Sequence, residues 1–385
     1  MSELKAFLGQ VHIENFLSLR DVDLPLKPLT VLVGPNASGK SNVLDAFNFL
    51  NEMMIFEKPP PVEEIQDLLW AGEASHITFQ LYAKVKTIPT LYKLNLKVED
   101  DNLSVDEALL VKDRKVISIQ NGHGAVWDED GENETRYKSN KLALRSAGDY
   151  GDKPVTSTLA EFIEGWNFYD FQPTRIRNRL ARSEKFILDK SKALPEFSKL
   201  DDDGSVLSAL LSYWHENDRT RFDNVSESLA ACTNLRIDHC LINGERQLCL
   251  LEGHKRPMPL WRASDGTLRF VAYYILLNQP ELPPLIAIEE PERNLHPGAL
   301  TDIAKVLEQL AERIQVIITT HSSQLLDAFK PNNLSDSLGV LLLRNHPGRG
   351  TEVINLETIR RHRDALDGWI TDFGVGSAVF DSALL

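Results

Sequence analysis

One octapeptide near the start of the chain, Gly34-Pro35-Asn36-Ala37-Ser38-Gly39-Lys40-Ser41, constrains the fold more than any other stretch. It meets the G-x-x-x-x-G-K-[ST] pattern at every fixed position, and that pattern works only between a buried strand and a helix. Both flanks comply. Leu29-Thr30-Val31-Leu32-Val33 is an apolar, β-branched run of strand length, and Val43, Leu44, Ala46, Phe47 and Leu50 recur at helical spacing. Gly34 and Gly39 let the backbone curl so that successive N–H groups face inward and cradle phosphate. Lys40 brings a point charge for β- and γ-phosphates, the Ser41 hydroxyl is placed to ligate Mg2+, and the opening helix adds its positive end.

The 385 residues exceed the roughly 250–300 at which single cores stop growing. One nucleotide-binding core carrying a substantial insertion is therefore expected. A net charge of −14 prevents the surface as a whole from gripping nucleic acid, so any DNA contact must be a local patch. Cys232, Cys240 and Cys249 are odd in number and lack C-x-x-C spacing, which reads as reduced core thiols in a cytosolic protein. No apolar run approaches the about 18 residues of a membrane span, and the charged start Met1–Lys5 is unlike a signal peptide. A soluble, cytoplasmic chain without membrane contact is expected.

Strands are expected at Val11–Ile13 and Leu17–Leu24, and the helix after Ser41 should run to about Met54, stopped by Pro59-Pro60-Pro61. From Ile77 to Tyr137 the alternation predicts an antiparallel meander whose acidic turns, Glu99-Asp100-Asp101 and Asp128-Glu129-Asp130, are solvated. Residues 139–157 read as a loose polar connection and are followed by mainly helical sequence. Phe168–Phe171 looks extended, and Gln172-Pro173 breaks the chain. Arg175, Arg177, Arg179, Arg182 and Lys185 form the one dense basic cluster. A solvated helix face is the simpler account of it; contact with DNA phosphates or a partner is the functional one. Residues 218–233 predict a further helix and 235–260 short strands.

The second half of the chemistry lies after residue 260. Ser264 is a natural N-cap for a helix over Leu268–Asn278, and Gly266 permits close approach to that helix start. Leu285-Ile286-Ala287-Ile288 is a buried strand delivering Glu289-Glu290 at its carboxyl end, where parallel α/β sheets bind ligands. Two adjacent carboxylates there are costly without a cation or a reacting water. With the phosphate loop upstream this is a Walker B element: Glu289 holds the hydrated Mg2+ and Glu290 polarises the attacking water as general base. Val316–Thr320 is a further buried strand, and it carries His321 to the same edge, within reach of a γ-phosphate or that water.

In this order the motifs resemble the ABC-type ATPases of the RecF, structural-maintenance-of-chromosomes and overcoming-lysogenisation-defect kind, most closely the stand-alone bacterial AAA-type members. The residues carrying the resemblance are Gly34–Ser41, Ser264-Asp265-Gly266-Thr267, Ile288–Glu292, Asn294-Leu295-His296-Pro297 and Thr319–Ser322. It implies an α/β P-loop NTPase, an ABC-type ATPase head divided into three parts. Residues 1–138 hold the phosphate loop and meander, 139–260 a mainly helical inserted lobe, and 261–385 the signature, Walker B and switch histidine. Ser264 and Gly266 become the signature, Asn294–Pro297 the D-loop region, His321 the switch histidine and Gln172 the Q-loop glutamine. Asp265, Thr267 and Glu289 depart from the commoner ABC pattern.

The resemblance further implies a homodimer in which the signature helix of one protomer caps ATP held with Mg2+ by the other. The absence of a long heptad tract between Ser41 and Ser264 argues against a long coiled coil. Fewer than 70 residues follow His321, too few for the nuclease domain of some relatives. The expected function is an ATPase switch or motor in bacterial DNA maintenance or phage defence, with an effector encoded nearby. The competing readings are an ATP-gated scaffold with negligible turnover and, more remotely, the nucleotide-binding subunit of a membrane transporter.

Overall fold

The computed structural model describes residues 5–72, 74–100, 102–131, 133–138, 141–147, 153–182, 199–242, 244–253, 256–329, 337–362 and 374–380. Alternation shapes the first strands. β1 (Ala6–Phe16) turns Leu8, Val11, Ile13 and Phe16 inward and pairs antiparallel with β2 (Leu19–Pro25). β3 (Leu29–Val33) is buried along its whole length and feeds the phosphate loop into α1 (Lys40–Ile55). The helix has already ended before Pro59, with Glu57 at φ 59°. Pro61 instead precedes the short α2 (Val62–Leu68), where its missing N–H costs nothing.

The meander forms as expected from β4 (His76–Val85), β5 (Ile88–Glu99), β6 (Asn102–Val111), β7 (Arg114–Gln120), β8 (His123–Trp127) and β9 (Glu134–Lys138). With the first two strands it makes one eight-stranded antiparallel sheet ordered β2-β1-β4-β5-β6-β7-β8-β9.

Two expectations fail at its far end. The Asp128–Asp130 turn is not simply solvated: Asp128 takes Lys153 Nζ at 2.9 Å, and Glu129 accepts from the Thr156 N–H at 2.8 Å and hydroxyl at 3.0 Å. Nor are the described parts of 139–157 a loose connection, for they hold α3 (Ala143–Ala147) and the start of α4 (Pro154–Glu164). The buried Glu107 carboxylate anchors them, accepting the Ala143 and Leu144 N–H groups and the Tyr92 hydroxyl. A lone acid within a strand pattern does not announce which distant helix start it will satisfy.

The chain then runs through β10 (Asn167–Tyr169), α5 (Pro173–Arg182), α6 (Leu207–Asn217), α7 (Arg219–Thr233) and a small sheet of β11 (Arg236–Ile242), β12 (Glu245–Leu251) and β13 (Met258–Pro259). There follow α8 (Asp265–Asn278), β14 (Leu285–Glu289), α9 (Leu300–Ala311), β15 (Gln315–Thr320) and α10 (Ser323–Ala328). The last elements are β16 (Leu338–His346), β17 (Gly350–Asn355), α11 (Leu356–His362) and α12 (Val375–Phe380). A central sheet ordered β10-β14-β15-β3-β16-β17 results, parallel except for β17.

That sheet divides two cores. Leu32, Leu285, Ala287, Ile317 and Leu341 face α1, α4 and the meander; Val31, Ile286, Ile288, Ile318 and Val340 face α5 to α9. Burial on both faces is why these strands read as unbroken apolar runs. The described residues of 139–260 accordingly divide between the two cores, and β10 adds an edge strand to the sheet. Gln315 ties the sheets together, its side chain bonding the Leu8 N–H at 2.7 Å and carbonyl at 2.9 Å. Cys249 is buried, Cys232 and Cys240 are half-buried, and none of the three is in a disulfide. Among the described residues no helix is long and apolar enough to cross a membrane.

Candidate nucleotide site at the carboxyl edge of the central sheet

Register brings the motifs together. β15 lies between β14 and β3, with Glu289 beside Thr319 and Thr320 beside Val33. The loop 34–41, the Glu289-Glu290 pair and His321 thus meet at one carboxyl edge.

Within the loop, Lys40 is buried and its ammonium donates to the carbonyls of Gly34 at 2.9 Å and Pro35 at 3.0 Å. Burial pushes its pKa down, against the opposing pull of the Glu290, Glu289 and Glu292 charges. Pro35, Asn36 and Ala37 are exposed at the tip, whereas Ser38 is buried with no partner for its hydroxyl among the described residues. Gly39 sits at φ 101°, a left-handed conformation that favours glycine. At Gly34 a Cβ would come within 2.4 Å of the Leu343 carbonyl.

Sequence reasoning missed the residues that brace this loop. Thr351 on β17 donates to the Ser38 carbonyl at 3.2 Å and shares a 2.7 Å hydrogen bond with Ser18, which also accepts from Asn42 at 2.7 Å. Thr351 lies 313 residues from Ser38, and no motif marks it.

The carboxylates are held differently. Ser41 Oγ donates to Glu289 Oε1 at 2.6 Å. Two hard oxygen donors side by side, with an unpartnered Ser38 hydroxyl in the same loop, suit a hard divalent cation such as Mg2+, which Ser41 and Glu289 would hold. Glu290 has a left-handed backbone, φ 44°, pinned by its N–H to the Thr319 carbonyl at 3.1 Å and hydroxyl at 3.2 Å. Its Oε1 meets His321 Nδ1 at 2.9 Å, and its Oε2 accepts from Arg293 Nε at 3.2 Å. Burial raises the Glu290 pKa, but the bonds to His321 and Arg293 outweigh it and hold the carboxyl below its ordinary value.

Arg293, Asp170 and Glu292 complete the site; sequence reasoning assigned none of them a role, although Glu292 closes the Ile288–Glu292 motif. Arg293 Nη1 reaches Asp170 Oδ1 at 3.5 Å, and Gln172 Nε2 reaches the other Asp170 oxygen at 3.3 Å. Gln172 therefore connects to Glu290 through two side chains rather than directly. Glu292 is buried, which pushes its pKa up; one oxygen accepts the Thr320 hydroxyl and the other has no partner among the described residues.

Ser264 caps α8, accepting from the Thr267 N–H at 3.2 Å. A Cβ on Gly266 would lie 3.2 Å from the Asn294 carbonyl and from Leu295 Cδ2. The close approach expected there is thus made by the 294–295 turn of the same chain. Arg177 braces the segment before α8, donating to the Trp261 and Ala263 carbonyls, each at 3.1 Å, and to Asp265 at 2.6 Å. Arg175 pairs with Asp203 at 2.8 Å. Two arginines of the basic cluster are therefore engaged within the chain. The side chains of Arg179 and Arg182, and the whole of Lys185, lie outside the described residues.

A family model described as "AAA domain, putative AbiEii toxin, Type IV TA system" matches residues 29–327, from β3 through most of α10. The chain belongs to this AAA_21 family. As an AAA_21 protein it is 22% identical over 354 residues to the Old nuclease of Escherichia phage P2, covering 83% of this chain and 57% of that protein. A segment of 43 residues is 46% identical to the OLD nuclease of Thermus scotoductus, only 8% of that protein's length. The AAA_21 chain thus spans little more than half of the first of these relatives and a small part of the second.

The fold matches a structural-maintenance-of-chromosomes head solved with the C-winged helix domain of ScpA. The TM-score is 0.55 at 15% identity, covering 92% of this chain and 99% of that one. A second such head, from a complex derived from Pyrococcus furiosus, matches with TM-score 0.52 at 12% identity, covering 93% and 98%. The AAA_21 chain thus has the fold of an ABC-type ATPase head and is similar in sequence to Old nucleases.

Proposed function

We propose that this protein binds Mg2+-ATP on residues 34–41, dimerises around it and hydrolyses it. In this reading it is a switch or motor in bacterial DNA maintenance or phage defence, acting on a separate effector. The observation that carries the reading is the meeting of Lys40, the Ser41–Glu289 pair and the Glu290–His321 pair at one sheet edge. Lys40 exchanges the Gly34 and Pro35 carbonyls for β- and γ-phosphate oxygens, so the loop is preorganised for an anion. Ser41 and Glu289 hold Mg2+, which when bound neutralises phosphate charge.

Glu290, ionised because its pKa is held down, accepts a proton from the attacking water, and His321 orients that carboxylate and the γ-phosphate. The start of α8, with Ser264 and Gly266, caps the nucleotide of a second protomer through its free N–H groups. DNA contact through Arg179 and Arg182 remains part of this proposal, while Arg175 and Arg177 are committed to Asp203 and the signature segment. The phage P2 relative is an Old nuclease, which supports coupling of an ATPase of this kind to an effector.

One observation favours a second reading, an ATP-gated scaffold with negligible turnover: both Glu290 oxygens are already engaged, by His321 and Arg293. Phosphate release and light scattering with Mg2+-ATP separate the two. The ATPase reading expects an ATP-dependent dimer that turns over. Dimerisation with turnover slower than about once per hour, far below usual enzyme rates, transfers support to the scaffold. No ATP binding refutes both.

A further inference from the structure

The outward face of the eight-stranded sheet carries a second group of ligating side chains at its β2-β1-β4 corner. His12 pairs across the strands with Asp23, and Glu14 with Asp21. Because each pair of residues is two apart on its strand, all four side chains project to one face. His12 Nε2 lies 2.9 Å from Glu14 Oε1 and 3.9 Å from Asp21 Oδ1. One donor atom from each of these three residues falls within 4.8 Å of the others.

The remaining ring nitrogen, His12 Nδ1, faces Asp23 Oδ1 at 3.2 Å, and Gln10 Nε2 fixes that oxygen at 2.8 Å. A metal-binding imidazole is commonly held this way, one nitrogen donating to a carboxylate and the other offering its lone pair. With Nδ1 as donor, the Nε2 lone pair points at a carboxylate oxygen, a contact made favourable either by a proton on Nε2 or by a cation bound to both atoms. Glu14 directly opposite Asp21 adds strain, since like charges paired across strands destabilise a sheet. His76 on β4 brings a second imidazole, its Nε2 3.7 Å from Glu14 Oε2. The other mixed cluster among the described residues, His215, Asp238 and His239, is crossed by Arg246, whose Nη2 lies 3.1 Å from His215 Nδ1 and repels a cation.

We propose that His12, Glu14 and Asp21 form a site for a first-row divalent transition cation of the Zn2+ or Mn2+ class, separate from the Mg2+-ATP site. Mixed imidazole and carboxylate donors suit that class, whereas Mg2+ takes oxygen ligands and gives up water reluctantly. A cation here ties β1 to β2 next to the turn carrying Ser18, the residue that joins Thr351 and Asn42 in bracing the phosphate loop. It therefore stiffens the hairpin on which the loop leans.

The test is calorimetric titration of the EDTA-stripped full chain with ZnCl2, without nucleotide, alongside X-ray absorption at the zinc edge. The expected result is one equivalent of zinc with nitrogen and oxygen ligands only, undisturbed by millimolar Mg2+. His12→Ala and Asp21→Asn should each weaken binding at least about tenfold, with ATP binding unchanged and, for Asp21→Asn, a metal-free thermal midpoint that holds or rises. Asp21→Asn, an isosteric change at a mostly exposed position, decides the matter alone if His12→Ala does not fold. Absence of saturable zinc binding, sulfur in the coordination shell, or unchanged affinity in the variants overturns the proposal. The cluster is then an imidazolium clamped between carboxylates.

Discussion

Glu290→Gln tests the assignment of the base. The change leaves the backbone N–H of residue 290 on Thr319, so the residue keeps its left-handed position at the strand end. It replaces a charge-assisted acceptor for Arg293 Nε with a neutral one, a loss of about 1 kcal/mol in stability. It also removes one of three carboxylate charges acting on Lys40, so affinity for the ATP polyanion should hold or rise. Catalysis should suffer far more. Removing a general base costs about 10²–10⁴-fold, which is about 3–5 kcal/mol in the barrier at about 1.4 kcal/mol per decade. Phosphate release should fall by that factor while nucleotide titration shows retained binding and light scattering shows a persistent ATP-bound dimer. Hydrolysis at the parent rate would refute the role given to Glu290.

Four further outcomes are expected. Lys40→Ala should abolish ATP binding in calorimetry, because each charge-assisted bond lost to phosphate is worth about 1.5–3 kcal/mol; unchanged affinity removes the phosphate-loop assignment. Arg293→Ala should shift the acid limb of the ATPase profile upward. Glu290 is now held below the ordinary glutamate value of about 4.3, so it stays ionised, and activity persists, until pH falls through that lowered value. Losing Arg293 lets the Glu290 pKa rise, and an unmoved limb would exclude Arg293 as a cause of the depression. Ser264→Arg should bind ATP but fail to close, and mixing it with Lys40→Ala chains should restore some activity at the one intact composite site. No recovery in demonstrated heterodimers counts against that two-protomer arrangement. Glu107→Ala should lower unfolding stability by about 3 kcal/mol, since two N–H groups and a hydroxyl lose a buried acceptor at about 1–3 kcal/mol each. Unchanged denaturant midpoints would show that α3 is held by other contacts.

Local chemistry made part of this molecule legible from its sequence. The loop 34–41 announces itself because a phosphate cradle needs glycine, lysine and serine at fixed neighbouring positions. The strands around it are equally plain, since burial on both faces demands unbroken apolar runs, and so is the meander, since burial on one face demands alternation. Ser264 was recognisable as a cap because its partner, the Thr267 N–H, is only three residues away. The tertiary structure alone decided the rest. It placed Thr351 under the loop, Glu107 at the start of α3 and Arg177 across the segment before α8. It also put Arg293 on Glu290, and set Gly266 against the 294–295 turn. In most of these the partner is far along the chain, and the hydrogen bond exists only because parallel register or a docked helix brings the two ends together. A sequence pattern records what a residue needs from its immediate neighbours, whereas a buried donor takes whichever acceptor the packed core leaves within 3 Å or so of it.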